Sequence, residues 1–342
     1  MATPPALETV RTRVDPLLER FLSDERAEIE AEHPGFVPLL DEVIRFVGSG
    51  GKRLRPAFCF WGYRAAGGVE EEAILRVGAG LELFHTFALI HDDVMDRGET
   101  RRGQPTVHVR MGKERADLGY PDAEQFGVST AVLAGDLASV LADHLFSTSG
   151  FRPELLLGAF RRYNHMRIEV AVGQFLDISS SGGEVDEDEA RRISLLKSGS
   201  YTAQGPLAVG AILGEAGEEV LDVLGRYGAL VGEAFQLRDD LAGVLGADLE
   251  QAKPTVLLAR ARARATPDDR AFLDRHVGRG PLTEGDRAKA LEILRRTGAI
   301  RDSELRVEGL IDEAVSSLDR AVLGEEPASA LRSIAEVMRT SG

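Results

Sequence analysis

An apolar, helix-like run of Leu81, Leu83, Phe84, Phe87, Ala88, Leu89 and Ile90 leads straight into three aspartates, Asp92, Asp93 and Asp96. On a helix, Asp92 and Asp96 lie one turn apart on one face, with Asp93 on a neighbouring face. Like charges at that spacing destabilise an isolated helix. A hard cation bridging the oxygens removes the penalty, and carboxylates suit Mg2+. Mg2+ usually keeps waters and takes its remaining ligands from substrate phosphates. Arg101 and Arg102, just downstream, are the side chains suited to bidentate phosphate recognition. The stretch therefore reads as metal plus phosphate. Its plain competitor is a solvated acidic helix end.

Helical periodicity runs through most of the chain. Val10, Val14, Leu17, Leu18, Phe21 and Leu22 recur at spacings of three and four, until His33-Pro34-Gly35 breaks the pattern. A second segment covers Val37 to Val47. Gly48 to Pro56 then forms a glycine hinge carrying Lys52, Arg53 and Arg55. Glycines let backbone approach a ligand and the cations suit phosphate oxygens; the bland reading is a basic turn between helices. Further helices are expected over 57–66, 70–90, 128–146, 151–178, 187–212, 218–245, 256–265 and from Pro267 onward, with 112–127 irregular. Gly78 and Gly80 lie inside a helix, where glycine costs about 1 kcal/mol relative to alanine, so close helix packing is expected there. Gly135-Asp136 reads as helix packing, and His91 as a structural neighbour of the acidic cluster with no assigned chemistry. Few runs alternate with period two, so no sheet is expected. No linker or composition shift marks a boundary. The pattern is that of a single, large, all-α helical bundle over 1–342, with N-terminal helices at about 7–47, a catalytic core at about 48–260 and C-terminal helices at about 267–340.

The formal charge of −15, from 41 basic and 56 acidic residues, argues against a general nucleic-acid binder. It leaves room for an anionic substrate, because metals and local arginines override the global field at a site. One cysteine, Cys59, excludes an intrachain disulfide and a zinc-finger framework, and fits a reducing, cytoplasmic setting. The N-terminus lacks a basic segment followed by an apolar run, so no signal peptide is indicated. No uncharged apolar stretch reaches the length of a membrane span, so none is expected.

A second aspartate pair, Asp239 and Asp240, follows apolar residues and Gln236. In a helix bundle, metals are held by side chains projecting from facing helices. If the two acidic helices face each other, they form a carboxylate jaw around cations. A diphosphate leaving group needs such a jaw, because several Mg2+ ions neutralise it and ease its departure. Lys52, Arg55, Arg101, Arg102, Lys197 and Lys253 are the basic residues available for the remaining oxygens. A hydrocarbon substrate would need the apolar wall that Leu83, Phe84, Phe87, Ala88 and Leu89 provide.

The chain resembles the trans-prenyltransferases, the polyprenyl diphosphate synthases of the all-α isoprenoid synthase fold. The matching stretches are Gly50 to Pro56, His85 after Glu82-Leu83-Phe84, Asp92-Asp93-Val94-Met95-Asp96 (the DDxxD motif), Arg101-Arg102-Gly103, Gly135-Asp136, Gly173-Gln174 with Asp177, Lys197, and Phe235 to Asp240. They stand in the family's order over roughly residues 45 to 255. Any one is weak; the ordered set is specific. The resemblance implies a reaction in which an allylic diphosphate loses diphosphate to three Mg2+ ions. The double bond of isopentenyl diphosphate attacks the resulting carbocation, and a proton is lost to the departing diphosphate. It further implies that Asp92, Asp96 and Asp239 ligate metal, with Asp93 and Asp240 in support. Lys52, Arg55, His85 and Arg102 would hold isopentenyl diphosphate. Arg101, Lys197 and Lys253 would hold the allylic diphosphate, and Gln174, Asp177 and Gln236 would line the cavity. Bulk upstream of the first aspartate sets product length in this family. Phe87 with the small Ala88, and no insertion in the motif, resembles enzymes that stop at geranylgeranyl diphosphate, with farnesyl diphosphate next. The resemblance also implies a homodimer.

Three departures stand out. Gly243 replaces the last carboxylate of the second motif, a spelling that occurs in the family, where that aspartate is the least critical ligand. Ser198 stands for the usual threonine after the lysine. The connection Gly246 to Ala252 is shorter than the family's loop and lacks one diphosphate-binding lysine, so closure over the site is expected to be poorer. Two alternatives remain. A terpene cyclase on the same fold would need no isopentenyl diphosphate, and the presence of Lys52, Arg55, His85 and Arg102 favours elongation over it. A non-catalytic partner subunit would be expected to lose first-motif carboxylates, and Asp92, Asp93 and Asp96 are intact.

Overall fold

The apolar spacing that runs through the sequence becomes helix almost throughout. The structure, a computed structural model, describes residues 4–181, 183–244, 248–251 and 253–340. The chain divides into two compact units: residues 7–60 with 69–152, and the described residues of 1–6, 61–68 and 153–342.

The first unit holds α1 (Pro5–Glu32), a 3-10 turn at Pro34–Phe36, α2 (Val37–Gly48) and the start of α3 (Leu54–Ala65). It continues with α4 (Glu71–Met95), a two-stranded ribbon of β1 (Thr100–Arg101) and β2 (Gln104–Pro105), α5 (Val107–Asp117) and α6 (Ala123–Ser147). Its core is α4 against α6. Ile74, Leu81, Leu83, Phe84 and Ile90 of α4 are at most 1 % exposed, as are Ala131, Ala134, Ala138 and Ala142 of α6. Small side chains on α6 let the axes come close. A Cβ at Gly80 would stand 2.9 Å from the Ala142 carbonyl oxygen, and one at Gly78 would stand 3.2 Å from Pro56 Cα. The interior glycines thus serve close packing, as the sequence suggests.

Two sequence expectations change here. The stretch 112–127 is not irregular: α5 reaches Asp117 and α6 begins at Ala123, leaving only a short turn around Tyr120-Pro121. The polar face of α5 hides its periodicity. The short ribbon is also unforeseen, though it is only two residues per strand.

The second unit contains α7 (Pro153–Ser180), α8 (Glu187–Ser194), a π-helical segment at Leu195–Gln204, α9 (Gly205–Leu213) and α10 (Glu218–Val244). Then come α11 (Asp248–Gln251), α12 (Val256–Arg264), α13 (Pro267–His276), α14 (Glu284–Arg296), α15 (Ala299–Ser317), α16 (Arg320–Leu323) and α17 (Glu325–Thr340). Side-chain caps begin several of these helices: Asp186, Thr255, Thr266 and Thr283 each accept from a backbone N–H three residues on. The long α10 packs against α15 and the π segment. Its buried Tyr227 donates to the Leu331 carbonyl at 2.7 Å. The 187–212 stretch, expected as one helix, is wound wider at its centre. Such π winding is rare and frequent at functional sites.

Among the described residues, two helices, α4 and α6, are long and apolar enough to cross a membrane. In α4, 67 % of the apolar window is buried within the protein; in α6, 39 %. For α4 the apolar length is that of a core helix.

Candidate active site

The first acidic cluster forms where α4 ends. Asp93 is buried, Asp92 is half-buried and Asp96 caps the helix, its N–H bonded to the Asp92 carbonyl at 2.8 Å. The chain then folds back. Gly98 N–H donates to the Asp93 carbonyl at 2.8 Å, and the Thr106 hydroxyl donates to the Gly98 carbonyl at 2.7 Å. Arg102 and Gly103 turn the ribbon with φ of 52° and 73°. Only left-handed backbone closes a turn this tight with the strands' own twist. For Arg102 that conformation is strained, which is typical of functional positions. The turn returns Arg101 to the helix end, where its guanidinium donates to Asp93 Oδ1 at 2.8 Å and to Asp92 Oδ2 at 3.3 Å. Burial pushes the Asp93 carboxyl above the usual range, against the pull of Arg101.

The glycine hinge lies in the same unit. Its three cations are not equivalent. Lys52 is exposed, and Arg55 is 6 % exposed at the start of α3. Arg53, at φ 51°, turns inward. Its guanidinium donates to Asp15 at 2.7 Å, to Glu82 at 2.8 Å and to the Val47 carbonyl at 3.0 Å. Arg53 is therefore a rivet tying the hinge to α1, α2 and α4, and not a hinge cation open to a phosphate. Arg102 reaches the same hinge, donating to Ser49 Oγ at 3.2 Å and to the Gly50 carbonyl. His85 sits one turn beyond Glu82. Burial, then Arg55, Arg102, Arg101 and Arg53 in turn, holds its pKa well below the ordinary value, so the ring is neutral. Of the four guanidiniums, Arg53 and Arg101 are paired with carboxylates, which leaves Arg55 and Arg102 as the positive charge of the patch around His85.

Phe87 lies between two rings on one face of α4. Its centroid is 5.6 Å from that of Phe84 and 4.7 Å from that of His91. His91 Nε2 is 2.9 Å from the Val132 carbonyl. The ring tip fills the notch left by Gly135, where a Cβ would stand 2.2 Å away. Ala88 is half-buried beside Phe87.

The second set belongs to the other unit. Lys197 lies in the π segment and donates to the buried Asp177 of α7. A Cβ at Gly173 would stand 2.3 Å from the Lys197 backbone nitrogen, so this glycine lets the π backbone lie directly on α7. Gln174 follows, half-buried. At the end of α10, Asp239 is exposed and Asp240 buried. Gln236 donates to Asp240 Oδ1 at 2.9 Å. Burial pushes the Asp240 carboxyl up to about 7, and Asp248 and Asp239 add to the rise. Residues 245–247 and 252 of the shortened connection lie outside the described residues. Lys253, half-buried, donates its N–H to the Asp248 carbonyl at 3.2 Å.

Each acidic end leaves a buried oxygen without a hydrogen bond, Asp93 Oδ2 in one unit and Asp240 Oδ2 in the other. An orphaned buried carboxylate oxygen is costly unless something else satisfies it, and a hard dication does. Among the described residues no three acidic, histidine or cysteine side chains close on one point.

The comparisons with known proteins agree with this geometry. A family model described as polyprenyl synthetase matches residues 37–294. The chain belongs to the polyprenyl synthetase family. A geranylfarnesyl diphosphate synthase of Aeropyrum pernix is 32% identical over 293 residues, covering 81% of this chain and 86% of its own. A geranylgeranyl diphosphate synthase of Methanosarcina mazei is 30% identical over 284 residues, covering 80% and 81%. Among solved structures, a Corynebacterium glutamicum geranylgeranyl pyrophosphate synthase, complexed with isoprenyl diphosphate and magnesium, matches with a TM-score of 0.91 at 33% identity and 100% coverage of both chains. The all-α architecture is thus that of the family's isoprenoid synthase fold, as expected from the sequence.

Proposed function

We propose that this polyprenyl synthetase joins isopentenyl diphosphate head-to-tail to an allylic diphosphate, releasing diphosphate, with geranylgeranyl diphosphate as the main product. The observation that carries the reading is the pairing of chemistries in the first unit. Carboxylates end α4, and a separate cationic patch of Lys52, Arg55, His85 and Arg102 gathers near the hinge. A cyclase would use the carboxylates alone; a second diphosphate substrate requires the patch as well.

Asp92, Asp96 and Asp239 would hold Mg2+, three ions in all, which when bound would supply the positive charge that eases departure of the diphosphate. Asp93 and Asp240 stand behind these ligands. Arg101, braced by Asp92 and Asp93, together with Lys197 and Lys253, binds the allylic diphosphate and stabilises it as it leaves. Lys52, Arg55 and Arg102 grip isopentenyl diphosphate, and the neutral ring of His85 offers it a hydrogen bond without adding charge. Gln174, Asp177 and Gln236 orient these groups; Asp177 holds the Lys197 ammonium in place. The apolar face of α4 takes the growing hydrocarbon, and the Phe84–Phe87–His91 stack forms its floor. A second copy covering the exposed apolar side chains of α6 (Val132, Leu133, Val140) would give a homodimer.

The test is product analysis after incubating the protein and Mg2+ with farnesyl diphosphate, with and without labelled isopentenyl diphosphate. A longer diphosphate formed only with both substrates is the expected result. Hydrocarbon or alcohol from farnesyl diphosphate alone would identify a cyclase. No turnover until an active synthase is added would identify a partner subunit.

A further inference from the structure

The departures at the end of α10 have one structural answer. Gly243 stands where the motif would carry its third carboxylate, and the space above it is filled. A Cβ at Gly243 would lie 1.9 Å from Asp248 Oδ2 and 3.0 Å from Asp248 Oδ1. The carboxylate that the motif lacks at 243 is thus delivered to the same place by a residue five positions on.

The arm that delivers it is well pinned. Asp248 opens α11, whose Leu249 is 1 % exposed in a cluster with Val244, Leu257 and Leu273. The Leu249 carbonyl accepts from Gly278 N–H at 2.9 Å. Glu250 accepts from Leu282 N–H at 3.3 Å and is paired with Arg287. The Asp248 carbonyl in turn accepts from the Lys253 N–H. The described part of the connection, α11, is thus tied down at Leu249 and Glu250, which holds Asp248 against the end of α10. Beside them Asp240, 4 % exposed, carries an oxygen with no hydrogen-bond donor. A carboxylate set with an unsatisfied buried oxygen calls for a cation.

We propose that Asp248 takes the place of the missing third carboxylate and acts, with Asp239, on the divalent cation at the end of α10. The shortened connection is then what makes Gly243 necessary: any side chain there would displace Asp248. This rests on the prenyl-transfer reading, and its test separates the two. Mn2+ binding in the presence of inorganic diphosphate is measured by electron paramagnetic resonance on the full chain, alongside elongation by the unaltered protein and thermal unfolding in chelator. Asp248→Ala is expected to weaken Mn2+ binding about tenfold. Gly243→Ala is expected to do the same with little change in unfolding temperature, because its methyl group displaces only the tip of a flexible side chain. Gly243→Asp combined with Asp248→Ala moves the carboxylate back to the motif, and should restore binding to within about twofold. Unaltered Mn2+ binding in Asp248→Ala and Gly243→Ala, with elongation intact in the unaltered protein, would overturn the assignment alone. Weakened binding that the relocated carboxylate fails to restore would reduce Asp248 to a loop anchor and overturn it too. Absence of elongation in the unaltered protein would instead overturn the reading on which it rests.

Discussion

The two acidic helix ends solve the same electrostatic problem by different routes. At the end of α4 the answer is local. The three carboxylates, the turn at Arg102-Gly103 and the returning Arg101 all lie between residues 92 and 103, and Arg101 braces both Asp92 and Asp93. At the end of α10 the motif is incomplete, and Gln236 from one turn back and Asp248 from α11 assemble around it. A locally complete site has no substitute for a lost member. A composite one spreads its charge over more groups, so each single loss should matter less.

The largest effect follows from that contrast. Asp92→Ala is expected to lower kcat by about 10³-fold or more, roughly 4 kcal/mol of transition-state stabilisation. Near-normal steady-state turnover would remove the metal assignment at α4. Asp239→Ala should cost less, about 10²-fold in kcat, roughly 2.7 kcal/mol, because Asp240 and Asp248 remain beside it; a loss as large as that of Asp92→Ala would erase the distinction between the two ends. Arg102→Ala removes an exposed cation of the hinge patch. It should raise KM for isopentenyl diphosphate about tenfold and leave KM for the allylic substrate unchanged. Equal rises in both would show that the patch does not separate the substrates. The smallest effect on rate is expected for Phe87→Ala. Total turnover should stay within about threefold, while chromatography shows the main product longer by at least one isoprene unit. An unchanged product distribution would remove Phe87 as the floor.

Where the determinants are near in sequence, the fold and the site are legible. The 3.6-residue period carries α4 up to its acidic end, and spacing alone puts Asp92 and Asp96 on one helix face; the return of Arg101 to that end depends on the ribbon turn, which the spacing does not show. Legibility failed where the deciding contact is distant. The π winding at Leu195–Gln204 depends on Gly173 yielding its place to the Lys197 backbone, which no local pattern records. Arg53 reads as one of three equivalent cations until its left-handed backbone turns it toward Asp15 and Glu82. Asp248 reads as part of a loop too short for its task, because only the burial of Leu249 tells where that loop goes. The stretch 112–127 departs from its expected irregularity for a different reason. Its Tyr-Pro-Asp turn is real, but the polar surface of α5 made the turn look longer than it is.

The proposed reaction requires both of these unlike ends at once. Combining Asp92→Ala with Asp239→Ala and measuring kcat for elongation of farnesyl diphosphate tests it most directly, because residues that act as a unit are far from additive. The double variant is expected to be no slower than Asp92→Ala within about threefold. A loss equal to the product of the two single losses would show the two ends acting independently, and would contradict it.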